Sequence, residues 1–180
     1  MRRIFSFGRD RSATSILEFA LMLPILVFIL AGIVEFGQTL MVSRKLNIIM
    51  TSVADLVSQE SAISSANVTK ILTGAATIML PYDSSNLKIL VADVNVTSST
   101  QLVAWSSAYN DTALSAGAAS PTTIPAGIAE AGVQMVVVRV KYSFTSPFSS
   151  FLASVTGHSS WTFERYFFER PRQGDSITYS

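Results

Sequence analysis

A long apolar stretch near the N-terminus constrains the fold of this 180-residue chain more than any other feature. Residues 19–34 (FALMLPILVFILAGIV) contain no charged side chain. With its flanks the apolar stretch covers about 25 residues, interrupted only by Glu18 and Glu35, and a helix needs ~20 to cross a bilayer. The two carboxylates would be roughly 25 Å apart along a helix, so we expect each near one membrane interface. The sequence therefore predicts a transmembrane helix over residues 14–42.

Basic residues are concentrated before this stretch. Arg2, Arg3, Arg9 and Arg11 precede it with one acid, Asp10, and only Arg44 and Lys45 follow it closely. The positive-inside rule then predicts a basic cytoplasmic leader over residues 1–13 and places residues 43–180 on the far side of the membrane. The alternative is a cleaved secretory signal. The apolar stretch is longer than the usual ~7–15 residues of such a signal and no A-x-A site ends it, so a retained anchor is favoured.

The helix is predicted to continue beyond the membrane to about residue 61. Its apolar residues there recur at three- and four-residue spacing, which is typical of an amphipathic helix with one buried face. They are Leu46, Ile49, Met50, Val53, Leu56 and Val57. No linker separates the two parts, so we expect one helix to connect the membrane to the folded domain.

Three segments of this helix, SATSILEFALMLP, GIVEFG and KLNIIMTSVADLVSQ, resemble the N-terminus of TadE-like proteins. These are pseudopilins of the Tad/Flp (type IVb) pilus assembly system. The resemblance implies that a prepilin peptidase cuts between Ala13 and Thr14, so that Thr14 becomes the first residue and Glu18 the fifth. Phe19 supplies the aromatic residue that usually follows the glutamate, whereas Ala13 stands where the family usually has Gly.

The resemblance also implies a role for Glu18 in assembly. In pilin-like proteins the equivalent glutamate pairs with the free amine of a neighbouring subunit, which here would be the α-ammonium of Thr14. A buried charge pair is favourable only when both partners are present, so the pair would also set subunit register. The implied partners are the prepilin peptidase, other Tad pilins and pseudopilins, inner-membrane platform proteins and the lipid bilayer. The implied location is the bacterial inner membrane, with residues 43–180 in the periplasm.

The rest of the chain predicts a second helix followed by strands. The helix is expected over residues 65–80, and strands over residues 87–96, 100–108, 133–144 and 159–171. The alternation in the first strand slips at Ala92–Val94, which suggests a bulge or burial on both faces. The third strand alternates regularly, which is typical of a sheet with one wet face. We therefore expect an α+β, pilin-like fold, in which the long helix packs on an antiparallel sheet of about four strands over residues 87–170.

Two further segments have less specific patterns. Residues 110–131 are rich in Ala, Gly, Ser, Thr and Pro, which predicts a long exposed loop, either variable or functional. Arg170-Pro171-Arg172 is a feature that also recurs in TadE-like proteins. It is interpreted first as the solvated end of the last strand and second as a contact for a partner.

Motifs of catalysis are not found in the sequence. It contains no G-x-S-x-G, P-loop or G-x-G-x-x-G pattern, no Cys, and one His, His158, at a predicted turn. Its net charge of +1, with no basic cluster after residue 45, argues against nucleic acid as a main partner. We expect no cofactor, no metal site and no enzyme activity. The leading hypothesis is a minor pseudopilin; the runner-up is an unprocessed single-pass periplasmic binding module, and a membrane-tethered enzyme is third.

Overall fold

The computed structural model describes residues 11–180 except 147, 150–152, 154–156 and 158. The chain divides into two compact units. The first consists of the residues as far as Thr39 together with residues Thr145–Ser159, and the second of residues Leu40–Phe144 and Ser160–Ser180. Most of the predicted leader, residues 1–10, and His158 lie outside the described residues.

Two helices, a short 3-10 turn and six strands make up the described fold. In chain order they are α1 (Arg11–Ser58), β1 (Ala62–Ile63), α2 (Ser65–Ala76), a 3-10 turn (Thr77–Met79), β2 (Leu87–Val96), β3 (Gln101–Tyr109), β4 (Gln134–Phe144), β5 (Trp161–Glu169) and β6 (Thr178–Tyr179). The long helix and the α+β class predicted from the sequence are confirmed. The helix ends at Ser58 rather than at about residue 61. At this end the Ser58 hydroxyl donates a hydrogen bond to the Asp55 carbonyl.

The main sheet has four antiparallel strands in the order β3-β2-β4-β5. The irregularity predicted in the first strand is confirmed, because the β2–β3 register shifts between Asp93 and Val94. A second, two-stranded sheet pairs β1 with β6 in parallel, and the sequence did not predict it. It ties the C-terminus to the segment that follows α1.

The hydrophobic core of the second unit lies between the end of α1 and one face of the main sheet. Residues at helical spacing on α1 meet every second residue of β2 and β4. The buried side chains include Val42, Leu46, Ile49, Val53 and Val57 of α1, Leu72 of α2, Leu87, Ile89 and Val91 of β2, and Val136, Val138 and Val140 of β4. Burial of each contributes about 1.5–3 kcal/mol, so this face holds the helix on the sheet.

The connection between β3 and β4 covers the opposite face of the sheet. Because β2 lies between β3 and β4, the chain must cross β2 to reach its next position. Ile124 is 1% exposed there and packs with Val94, Met135 and Val137. Most of residues 110–131 are exposed, as predicted, but Ile124 is buried, which the sequence did not predict. The wet face predicted for β4 is present at Arg139, Lys141 and Ser143, which are partly or fully exposed, whereas Met135 and Val137 on the same face are buried.

Polar contacts hold the same connection in place. The Ile124 amide donates to Gln101 Oε1 at 2.8 Å, and Gln101 Nε2 donates back to the Ile124 carbonyl at 3.1 Å. Arg139 forms an ion pair of 2.9 Å with Asp111, and both side chains are 16% exposed. The connection is long because it has to cross β2, and Ile124 is the residue that it contributes to the buried core of this face.

Candidate membrane and assembly site

The first part of α1 exposes almost all of its apolar surface. One described helix, Thr14–Ser58, is long and apolar enough to cross a membrane, and only 6% of its most apolar 18-residue window is buried. Exposed side chains point in every direction around it, among them Leu17, Phe19, Leu21, Met22, Ile25, Leu26, Leu30 and Ile33. The core helix of a soluble protein would bury one face, so this surface requires lipid or other helices around it.

The four residues predicted to act in processing and assembly lie together at the start of α1. The helix begins at Arg11, so Ala13 and Thr14 fall in its first turn. Glu18 is exposed and Phe19 is 61% exposed. Both side chains are therefore accessible to another molecule.

A cut before Thr14 would change the electrostatics of this end. Glu18 lies about two turns into the present helix, but it would lie close to the start of a helix that begins at Thr14. A carboxylate near a helix N-terminus is stabilised by about 0.3–1 kcal/mol through the helix dipole. The new α-ammonium of Thr14 would be one turn, roughly 6 Å, from Glu18 of its own chain. The α-ammonium of a neighbouring chain must therefore compete with this intramolecular one for Glu18.

The second carboxylate of the apolar stretch has a different environment. Glu35 is 9% exposed, and Ala31, one turn before it, is 2% exposed. Both residues belong to the first unit, but Glu18 lies on an open helix surface whereas Glu35 is buried. The sequence pattern treated the two as equivalent interface residues; only Glu18 has the exposure that a contact between chains needs.

Within the second unit, two basic residues connect the later part of α1 to the rest of that unit, and sequence reasoning missed both contacts. Arg165 of β5 donates to Ser43 Oγ at 2.8 Å and to Asn47 Oδ1 at 3.2 Å. Lys45 Nζ donates to the carbonyl oxygens of Ile78 and Leu80 at 2.8 and 2.7 Å. Residues so far apart in sequence have no local signal that would pair them.

The C-terminal arginines also make contacts within the chain. Arg172 forms ion pairs with Asp55 of α1 and with Glu169, and its amide donates to the Ser58 carbonyl at 2.8 Å. Arg170 pairs with Glu130 at 2.8 Å. These residues are exposed, but they are not simply a solvated strand end.

Asp93 is a buried carboxylate at the centre of the sheet. Its side chain is fully buried, and neither carboxylate oxygen has a hydrogen-bond partner among the described residues. Burial raises the pKa of Asp93 to about 7. Within the described part of the chain no group of three or more His, Cys, Asp or Glu side chains could hold a metal ion.

Comparison with known families identifies the start of the chain. The family model described as TadE-like protein matches residues 13–54. The match contains all four predicted site residues, and the resemblance inferred from the sequence is confirmed over this segment. No curated protein and no solved structure matches the chain.

Proposed function

We propose that this chain is a minor pseudopilin of a Tad pilus system, anchored in the bacterial inner membrane with residues 43–180 in the periplasm. The observation that carries the proposal is the TadE-like match over residues 13–54, which falls on the exposed apolar helix. Its role is structural: α1 inserts in the membrane and contacts other pilins or platform proteins. No cofactor takes part.

Exposure on every side of α1 supports membrane anchoring. Side chains such as Leu21, Ile25 and Ile29 are more than half exposed, and moving such a side chain from water into lipid contributes about 1.5–3 kcal/mol. Pro24 lies inside the helix. In membranes a helical proline is tolerated when neighbouring groups satisfy the freed carbonyl, which favours a helix with protein neighbours.

A second candidate function is an unprocessed single-pass anchor that carries a periplasmic binding module. Ala13 favours it, because the family usually has glycine before the cut. The two functions differ in one covalent bond, between Ala13 and Thr14, and this bond can be measured directly.

The test is the mass of the mature N-terminus. The full chain is expressed with its cognate prepilin peptidase and, as a control, with a peptidase whose active site is inactivated. The proposal expects a chain that begins at Thr14 only with the active enzyme. Ala13→Gly is the matched variant, and we expect it to be cut at the same bond and at least as fast.

A chain that keeps residues 1–13 with the active peptidase, while Ala13→Gly is cut, would contradict the pseudopilin and support the unprocessed anchor. Retention of the leader in both would show that the peptidase does not recognise Glu18 and Phe19 in this context. That result would overturn the proposed role of both residues.

A further inference from the structure

In the connection between β4 and β5, two serines are buried and a phenylalanine between them is exposed. Within residues 145–160, which we name the β4–β5 connection, Ser146 and Ser149 are 3% and 6% exposed, whereas Phe148 is 38% exposed. In water large apolar side chains are normally buried and serines exposed. Next to Phe148 the connection therefore presents an apolar side chain outward and shelters two serines, although Thr145, Ser159 and Ser160 at its ends are exposed.

Phe148 lies beside the apolar part of α1. Val27, Leu30 and Ala31 line one side of an apolar hollow of about 240 Å³, and Phe148 lines the other. All four residues belong to the first unit. Val27 and Leu30 are themselves 46% and 62% exposed, so Phe148 extends an apolar surface that is already continuous along the helix.

The helix positions give the depth of this contact. Ala31 and Val27 precede Glu35 by one and two turns, which is roughly 6 and 12 Å along the helix axis. If the apolar stretch spans the bilayer with Glu35 towards its outer edge, Phe148 lies at the level of the outer leaflet rather than above the membrane.

The sequence of the connection and three of its described backbone amides are compatible with that depth for Phe148. Residues 142–163 contain no Asp, Glu, Lys or Arg. The amides of Phe148 and Ser149 donate to Ser146 Oγ and to its carbonyl, both at 3.1 Å, and the Gly157 amide donates to the Ala153 carbonyl at 2.9 Å. Backbone groups can enter lipid only when they are satisfied internally, and these three are.

We propose that the β4–β5 connection contacts the membrane at Phe148 and places this side chain among the acyl chains of the outer leaflet. This inference rests on the membrane anchoring in the proposed function. It adds a second attachment of the folded domain to the bilayer, separate from the helix that crosses it. The partner is the acyl region of a phospholipid bilayer, since no charged side chain is present to bind a headgroup.

Fluorescence quenching tests the depth of Phe148. The chain has no Cys, so single cysteines can carry an environment-sensitive NBD label in the full chain reconstituted in phosphatidylcholine–phosphatidylglycerol vesicles. The variants are Phe148→Cys, with Leu30→Cys as the reference inside the span and Ala113→Cys as the reference on the domain surface. Each is exposed to lipids with a doxyl group on the acyl chain and, separately, to aqueous iodide.

We expect the label at position 148 to behave like the label at position 30. Doxyl lipid should quench the fluorescence of both labels, and iodide should quench neither. A label at position 148 that behaves like the one at position 113, or that neither quencher reaches, would overturn the inference. If position 30 is itself insensitive to doxyl lipid, membrane anchoring fails, and the inference fails with it.

A second variant tests the same inference in case Phe148→Cys does not fold. Phe148→Trp keeps an aromatic side chain, and brominated acyl chains quench tryptophan by contact. We expect quenching in Phe148→Trp to exceed that of the wild type, whose two tryptophans supply the background. Equal quenching in the two proteins would contradict the inference.

Discussion

At the scale of single residues, three acidic side chains show how environment separates groups that the sequence presents alike. Glu18 is exposed on α1, Glu35 is sheltered in the first unit, and Asp93 is buried in the sheet. The sequence identified Glu18 through its motif. It could not identify Asp93, because burial of that carboxylate depends on α1, β3 and β4, which are brought together only by the fold.

Asp93 predicts an unusual dependence of stability on pH. The folded pKa of about 7 lies above the ordinary value of ~3.9, so the protonated form fits the fold better. Its contribution to stability is complete below pH ~4 and is lost as pH rises towards 7, with a ceiling of about 4 kcal/mol. Asp93→Asn should remove this fall and unfold at higher denaturant concentration than the wild type at pH 8.

Denaturant unfolding of the full chain in detergent at pH 5 and pH 8 measures the effect. Asp175→Asn is the matched control, because that side chain is exposed. It should leave the difference between the two pH values unchanged. A wild-type stability that does not fall between pH 5 and pH 8 would contradict the burial of an ionisable Asp93.

At the scale of elements, the sequence predicted helices and strands well because their periodicities are local. It predicted residues 110–131 as an exposed loop, which most of them are, but it did not identify Ile124 as a buried residue. Its burial follows from strand order, which places β2 between β3 and β4. The β1–β6 pair escaped prediction for a similar reason, since each strand has two residues and its partner is far away in sequence.

Ile124 should therefore behave as a core residue. Ile124→Ala removes a side chain that is 1% exposed and packs on the outer face of the sheet, so we expect a loss of about 2–4 kcal/mol in the free energy of unfolding. Ile128→Ala, in the same connection but 45% exposed, should cost less than about 0.5 kcal/mol. Equal effects of the two variants in thermal unfolding would show that the connection does not pack on the sheet.

Arg165 should matter more than an ordinary surface arginine. Arg165→Ala removes two hydrogen bonds from β5 to α1, and we expect a loss of about 1–3 kcal/mol in the free energy of unfolding. Arg170→Ala breaks an ion pair whose side chains are 51% and 61% exposed, so its cost should stay below about 1 kcal/mol. A larger loss in Arg170→Ala, measured by denaturant unfolding, would contradict the importance given to the α1–β5 contact.

At the scale of the whole molecule, the chain combines an exposed apolar helix with a folded α+β unit. The TadE-like match covers most of α1 and ends before the sheet, so the sheet has no assigned relative. The TadE-like resemblance could be recognised because the residues around Glu18 and the apolar stretch are contiguous in sequence. The contacts that attach α1 to the 3-10 turn and to β5 were not predictable, since they join residues 33 to 122 positions apart.

The central claim is that Glu18 serves assembly rather than insertion. Its most direct test is pilus output from cells in which Glu18→Gln replaces the wild-type chain. Glu35→Gln is the matched control at the sheltered carboxylate. We predict that Glu18→Gln protein remains in the membrane fraction while pili on the cell surface fall severalfold, because an uncharged side chain cannot pair with an α-ammonium. Wild-type pilus output from membrane-inserted Glu18→Gln protein would contradict the account.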